Sequence, residues 1–232
     1  MATLAEARQA LLDVTTLAQA DLERLWAMLV DLPPEQVRDA LMDLLPAVGD
    51  EYGAAAAALA ADWYDEAREE AEVRGAFRAE PSPPVEPVRW QSLSRWGVGP
   101  LFAETPDYSG ALQLVQGGLQ RTVANQHRLT VVDNSIRDPQ AAGWRRVGVG
   151  GSCPFCLMLI ARGAVYTDAS VTFRTHDHCN CAASPTWAPN VVKVSGEPYR
   201  QSKRREGMSE ARKKAENARA REWMLAQYGS AY

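Results

Sequence analysis

Cys153-Pro154-Phe155-Cys156, followed after nineteen intervening residues by His176-Asp177-His178-Cys179-Asn180-Cys181, holds all four cysteines and two of the three histidines of the chain. The first run is a C-x2-C knuckle. Its spacing lets two thiolates face one metal ion across a tight turn, while the intervening amides stabilise the sulfur charge. In the second run Cys179 follows His176 at H-x2-C spacing. Joined, the two knuckles predict a closed, tetrahedral set of three cysteines and one histidine, Cys153, Cys156, His176 and Cys179, the type that holds structural Zn2+. Cys181 in place of His176 makes the set all-cysteine, and His178 is a spare donor; the spacing does not choose between them. The surroundings are short, loop-rich and poor in large apolar residues, so a bound metal supplies folding energy that a small core does not.

Short strand candidates surround this cluster. They are Gly143-Trp144-Arg145-Arg146-Val147-Gly148-Val149, Ala164-Val165-Tyr166-Thr167, and Cys181 to Trp187. Gly150-Gly151, directly before the knuckle, shapes a turn. Upstream, a helix is expected from about Ser109 to Ile136, with Leu112, Val115, Leu119, Val123 and His127 on one face. Gly117-Gly118 should weaken it, and His127 on that stripe reads as a core residue and not as a ligand. Asp138-Pro139 ends the helix.

The first 80 residues read as an acidic helical bundle. Thr3-Leu4-Ala5-Glu6 fits a capping box, followed by Leu11, Val14, Leu17, Leu22, Leu25, Trp26, Leu29 and Val30 at helical spacing. Pro33-Pro34 suits the first turn of a second helix, with Val37, Leu41, Leu44 and Leu45 on one face. Pro46 and Gly49 should break or kink it, before the alanine-rich run from Ala54 to Ala61. Pro81-Ser82-Pro83-Pro84-Val85-Glu86-Pro87 reads as a semi-rigid linker, and Leu93 to Phe102 as a short packed segment. From Ser209 to Tyr228 the chain is a highly charged helix. The fold class expected is therefore α+β: mainly helical, with a small zinc-stabilised β-hairpin module in the middle of the chain. Four regions follow: 1–80 acidic and helical, 81–107 proline-rich linker and packed segment, 108–190 helix plus zinc-ribbon-like module, and 191–232 basic helix.

Bulk properties narrow the function classes. The 232 residues are 46% hydrophobic and 23% charged, ordinary for a globular chain with a real core. No stretch is apolar for long enough to span a bilayer, and the first residues lack the pattern of a signal peptide, so a reducing cytoplasm is the expected compartment. That setting argues against pairing the cysteines as disulfides, and a redox C-x-x-C would need a thioredoxin-like context. The net charge of −4 divides unevenly, with −11 in residues 1–80 and +5 in residues 193–232. Such polarity suits partners of opposite sign at the two ends, or head-to-tail packing of copies. Catalytic templates are missing: H-x-E and H-E-x-x-H for catalytic zinc, the phosphate-binding G-x-x-x-x-G-K-[ST], and G-x-S-x-G do not occur. No catalytic residue and no organic cofactor site is expected.

Four motifs taken together carry a resemblance: Gly143-Trp144-Arg145-Arg146-Val147, Cys153-Pro154-Phe155-Cys156, Arg162-Gly163-Ala164-Val165-Tyr166, and His176-Asp177-His178-Cys179-Asn180-Cys181. The combination resembles the Mu F-like (MuF) minor head proteins of tailed phages, in the version found in phages and prophages of actinobacteria. The family pattern is C-x2-C, a short apolar hairpin, then H-x2-C-x-C, matched here by Cys153, Cys156, Gly163, His176, Cys179 and Cys181. Many relatives carry proline after the histidine; this chain has Asp177. The resemblance covers roughly residues 109–187. It implies a minor capsid protein inside the head at the portal vertex, which aids head assembly and DNA packaging or delivery. Portal protein is then the expected partner, with scaffold or major capsid protein as further ones. Lys203-Arg204-Arg205 and Arg212-Lys213-Lys214 of the basic C-terminal region offer contacts to packaged DNA, and no membrane is involved. Two other readings compete: an enzyme (capsid maturation protease or zinc-ribbon nuclease), and a host-directed zinc-binding regulator.

Overall fold

The computed structural model describes residues 3–148, 154–161, 163, 165–167, 173, 175–179, 181–189, 191, 193–194 and 206–228. They form two compact units. The first comprises residues 1–134 with 173–178, the second 135–172 with 179–232. Helices dominate and one small sheet accompanies them, as the sequence predicts.

The first unit is built on four helices. Helix α1 (Leu4–Leu29) opens with the predicted capping box, in which Thr3 and Glu6 satisfy each other's backbone amides. Helix α2 (Pro34–Glu70) starts at Pro34 and continues through Pro46 and Gly49, so of the expected break or kink the break does not occur. An internal proline costs about 3 kcal/mol in a helix. Burial offsets it on both sides: Val37, Leu41 and Leu45 before Pro46, and Ala56, Ala57, Ala60, Trp63 and Tyr64 after it. Gly49 is a contact site. A Cβ there would overlap the ring of Trp90, whose Nε1 donates to Asp50 Oδ1 at 2.8 Å.

Helix α3 (Pro87–Gly97) and a single 3-10 turn (Gly99–Phe102) occupy the predicted packed segment. Helix α4 (Tyr108–Arg137) passes through Gly117-Gly118 without interruption. A Cβ on Gly118 would overlap Leu93, so the glycine pair lets α3 and the 173–178 segment approach α4 closely. Leu22, Leu41, Leu45, Trp90, Leu101, Val115, Leu119 and Val123 belong to one core. His127 is buried as predicted, 2% exposed, and stacks on Trp63 with ring centroids 6.3 Å apart.

The proline-rich stretch expected as a linker lies within the first unit, held along α4. Gln126, Thr130 and Asn134 recur every four residues, hence on one face. Asn134 accepts from the Glu80 amide at 3.0 Å and donates to the Glu80 carbonyl at 2.8 Å. Thr130 Oγ1 accepts from the Ser82 amide at 3.0 Å, and Gln126 Nε2 donates to the Pro83 carbonyl at 2.8 Å. A segment that cannot form its own ladder thus has its backbone groups satisfied by side chains.

The second unit carries the sheet, in the order β3-β1-β2-β4, with β1 (Gly143–Val147), β2 (Val165–Tyr166), β3 (Ala182–Thr186) and β4 (Lys193–Val194). Strand β1 pairs antiparallel with β2 and β3, and β4 joins β2 in parallel. The first three strands fall on the predicted segments. Helix α5 (Pro154–Ala161) carries Cys156, and α6 (Glu210–Tyr228) is the predicted charged C-terminal helix. Among the described residues no helix is long and apolar enough to cross a membrane.

Candidate metal centre

Three thiols meet in the second unit. Cys156 is the third residue of α5, and Cys181 directly precedes β3, beside the end of β1 through the pairing of Val147 with Ala182. The sulfurs of Cys156 and Cys179 lie 3.6 Å apart, those of Cys179 and Cys181 2.9 Å, and those of Cys181 and Cys156 2.8 Å. All three residues are buried, with exposures of 1%, 5% and 2% for Cys156, Cys179 and Cys181. Among the described residues they form the one group of histidine, cysteine and carboxylate donors close enough to share a metal ion.

The arrangement sets up a clear electrostatic conflict. Hydrogen bonding to Cys179 and Cys181, with burial added, pushes the Cys156 thiol far above its ordinary range. The Cys181 thiol is also raised: hydrogen bonding with Cys156 lowers it, but Cys179 and burial outweigh that. Without a cation the three cannot all ionise. A divalent ion reverses the balance, because the thiolate is the ligand and coordination removes the proton.

The donor set fits such an ion. A tetrahedral ion with metal–sulfur bonds of about 2.3 Å requires sulfur–sulfur edges of about 3.8 Å. The Cys156–Cys179 edge of 3.6 Å already approaches this. Cys181 is common to both short edges, so an outward shift of its sulfur by about 1 Å opens the triangle to the required size.

The chain belongs to the VG15 protein family. The family model matches residues 1–211, and the family is one of viral, phage-encoded gene products. No curated protein and no solved structure matches the chain.

In this VG15 family member the other predicted donors sit as follows. Cys153 lies outside the described residues. His176 belongs to the first unit, where it is exposed and its Nδ1 is 2.6 Å from the Asp177 carbonyl oxygen. A carbonyl only accepts, so Nδ1 is the donor in this contact. The segment bearing His176 is pinned to α4. Thr175 donates to Asn125 at 3.0 Å, Asp177 pairs with Arg121 at 3.0 Å, and the His178 amide donates to Gln120 Oε1 at 2.9 Å. Asp177, the residue that departs from the MuF pattern, thus makes an ion pair that proline could not. His178 is exposed and adopts a positive φ of 59°.

One residue of the centre is missed by motif reading. Arg146 is buried, 8% exposed, with Nη1 3.2 Å from the Cys181 sulfur and 3.9 Å from that of Cys156. The signal lay in strand alternation. If β1 buries Trp144, then Arg146 shares its face while Arg145 points outward, and the structure shows that pattern.

Proposed function

We propose that this phage protein is a non-enzymatic, MuF-like minor component of the virion head, in which a structural Zn2+ ties together a small rigid module. The observation that carries the reading is the convergence of three buried thiols within the motif set that resembles the MuF proteins. Membership of a phage family supports a viral role. The burial and all-sulfur character of the three donors support structural zinc, the type of site built mainly from cysteines. The C-x2-C motif offers Cys153, outside the described residues, as a fourth ligand.

His127 weighs against a protease. It is the histidine outside the cluster, and neither ring nitrogen has a hydrogen-bonding partner among the described residues. A general base of a Ser-His-Asp type needs both a nucleophile and an orienting acid at those atoms. The flanking helices then serve as grips: the acidic surface of α1 and α2 for a basic face of portal or scaffold protein, and α6 for packaged DNA. On α6, Arg212 and Lys214 are exposed, while Lys213 pairs with Glu210 at 2.7 Å. Lys203-Arg204-Arg205 lies outside the described residues.

Mass spectrometry of purified virions tests the role, with copy number measured relative to portal. A few copies per particle are expected. Presence in infected cells early in infection but absence from virions would replace this reading with that of a host-directed regulator.

A further inference from the structure

Arg146 is an unusual neighbour for a cluster of cysteines. It is a buried cation held on the inner face of β1, in register with Ala183 of β3, so its Cα position is fixed by two strands. Its guanidinium reaches sulfur instead of solvent, donating to Cys181 at 3.2 Å and approaching Cys156 at 3.9 Å. A thiolate accepts a hydrogen bond from a guanidinium more strongly than a neutral thiol does.

We propose that Arg146 is the charge-balancing partner of the metal centre, donating a hydrogen bond to the metal-bound sulfur of Cys181. The proposal rests on the zinc reading above. Zn2+ bound to Cys156, Cys179 and Cys181 releases three protons, and the resulting unit of three thiolates and one divalent ion carries a net charge of −1. A guanidinium beside it offsets that negative charge. Burying uncompensated charge is strongly unfavourable, and a charge-assisted hydrogen bond to a ligand atom both offsets that charge and fixes the ligand's orientation. The competing explanation is that Arg146 matters only for the packing of its aliphatic stem.

Competition with a chromophoric zinc chelator, using the full chain, separates the two. Arg146→Met keeps the stem and removes the charge. It is expected to bind Zn2+ roughly 10- to 100-fold more weakly, the usual effect of losing a partner of a ligand. Arg146→Lys keeps the charge and should fall between Met and the unaltered protein. Substituting Co2+ gives a second readout, since loss of the hydrogen bond to sulfur shifts the thiolate-to-cobalt charge-transfer band. Equal affinity of Arg146→Met and the unaltered chain would overturn the proposal. Should Arg146→Met fail to fold even with zinc, Arg146→Lys decides: binding within about tenfold of the unaltered chain supports charge balance, and complete loss overturns it. If the unaltered chain itself binds neither Zn2+ nor Co2+, the zinc reading fails instead, which is a different result.

Discussion

Lowering the pH should destabilise the first unit through His127. Burial, and then the neighbouring charge of Arg128, hold this imidazole's pKa down from its ordinary 6.5 to about 4. In the unfolded chain it returns to the ordinary value. Above pH 6.5 the ring is neutral in both states and contributes nothing that changes with pH. Between pH 6.5 and 4 the unfolded chain binds the proton and the folded one does not, so stability falls as the pH falls. A difference of about 2.5 pKa units corresponds to about 3 kcal/mol in the limit, of which between about 2 and 3 is lost by pH 4.5. Solvent screening does not reduce this, because the ring is 2% exposed. Urea unfolding of the intact chain and of His127→Phe, from pH 7.5 to 4.5, isolates the effect. Phenylalanine keeps a flat ring against Trp63 and removes both unpartnered nitrogens. Acid release of metal and protonation of carboxylates affect both proteins equally and cancel in the difference. The variant should gain on the unaltered chain by about 1.4 kcal/mol per pH unit below 6.5. A flat difference across that range would refute the reasoning.

Other outcomes follow from the packing and from the site. Gly118→Ala drives a Cβ into Leu93, so it should destabilise the first unit by about 1–3 kcal/mol despite alanine's better helix propensity. Gly53→Ala places its Cβ at an ordinary 3.4 Å from Gln126 and should leave stability unchanged or raise it by up to about 1 kcal/mol; thermal unfolding of the two variants checks the opposite signs. Asn134→Ala removes both bonds to Glu80, with an expected loss of about 1–2 kcal/mol and faster hydrogen exchange of the Glu80 amide. A role of α6 on DNA predicts filter binding that weakens steeply with salt, and no retention at low salt would remove that role.

Much of this architecture is legible in the sequence because it is local. The Thr3–Glu6 box, the prolines at the start of α2, and the alternation of β1 all act within a few residues. The clustering of Cys156, Cys179 and Cys181 is foreshadowed by their motif spacing, although Cys156 sits on helix α5 and β2 pairs with β1 and β4 where a short hairpin is expected. What escapes local reading depends on neighbours far along the chain. Pro46 breaks an isolated helix, yet the apolar surface buried on both sides of it keeps α2 whole. Gly117 and Gly118 look like weak points in α4 until Leu93 and the segment around Asp177 are seen to need the space. The stretch from Pro81 to Pro87 has a linker's composition, and only the four-residue spacing of Gln126, Thr130 and Asn134 marks its partner. Arg146 escapes because motif patterns record ligands, whereas its role is to lie beside them.

The central claim is that Cys156, Cys179 and Cys181 hold a zinc ion, and metal content measures it directly. Protein purified under reducing conditions without added metal should contain about one zinc per chain, and Cys156→Ser or Cys181→Ser should lose it together with the fold of the second unit. A zinc content near zero in a well-folded, fully reduced sample would contradict the account.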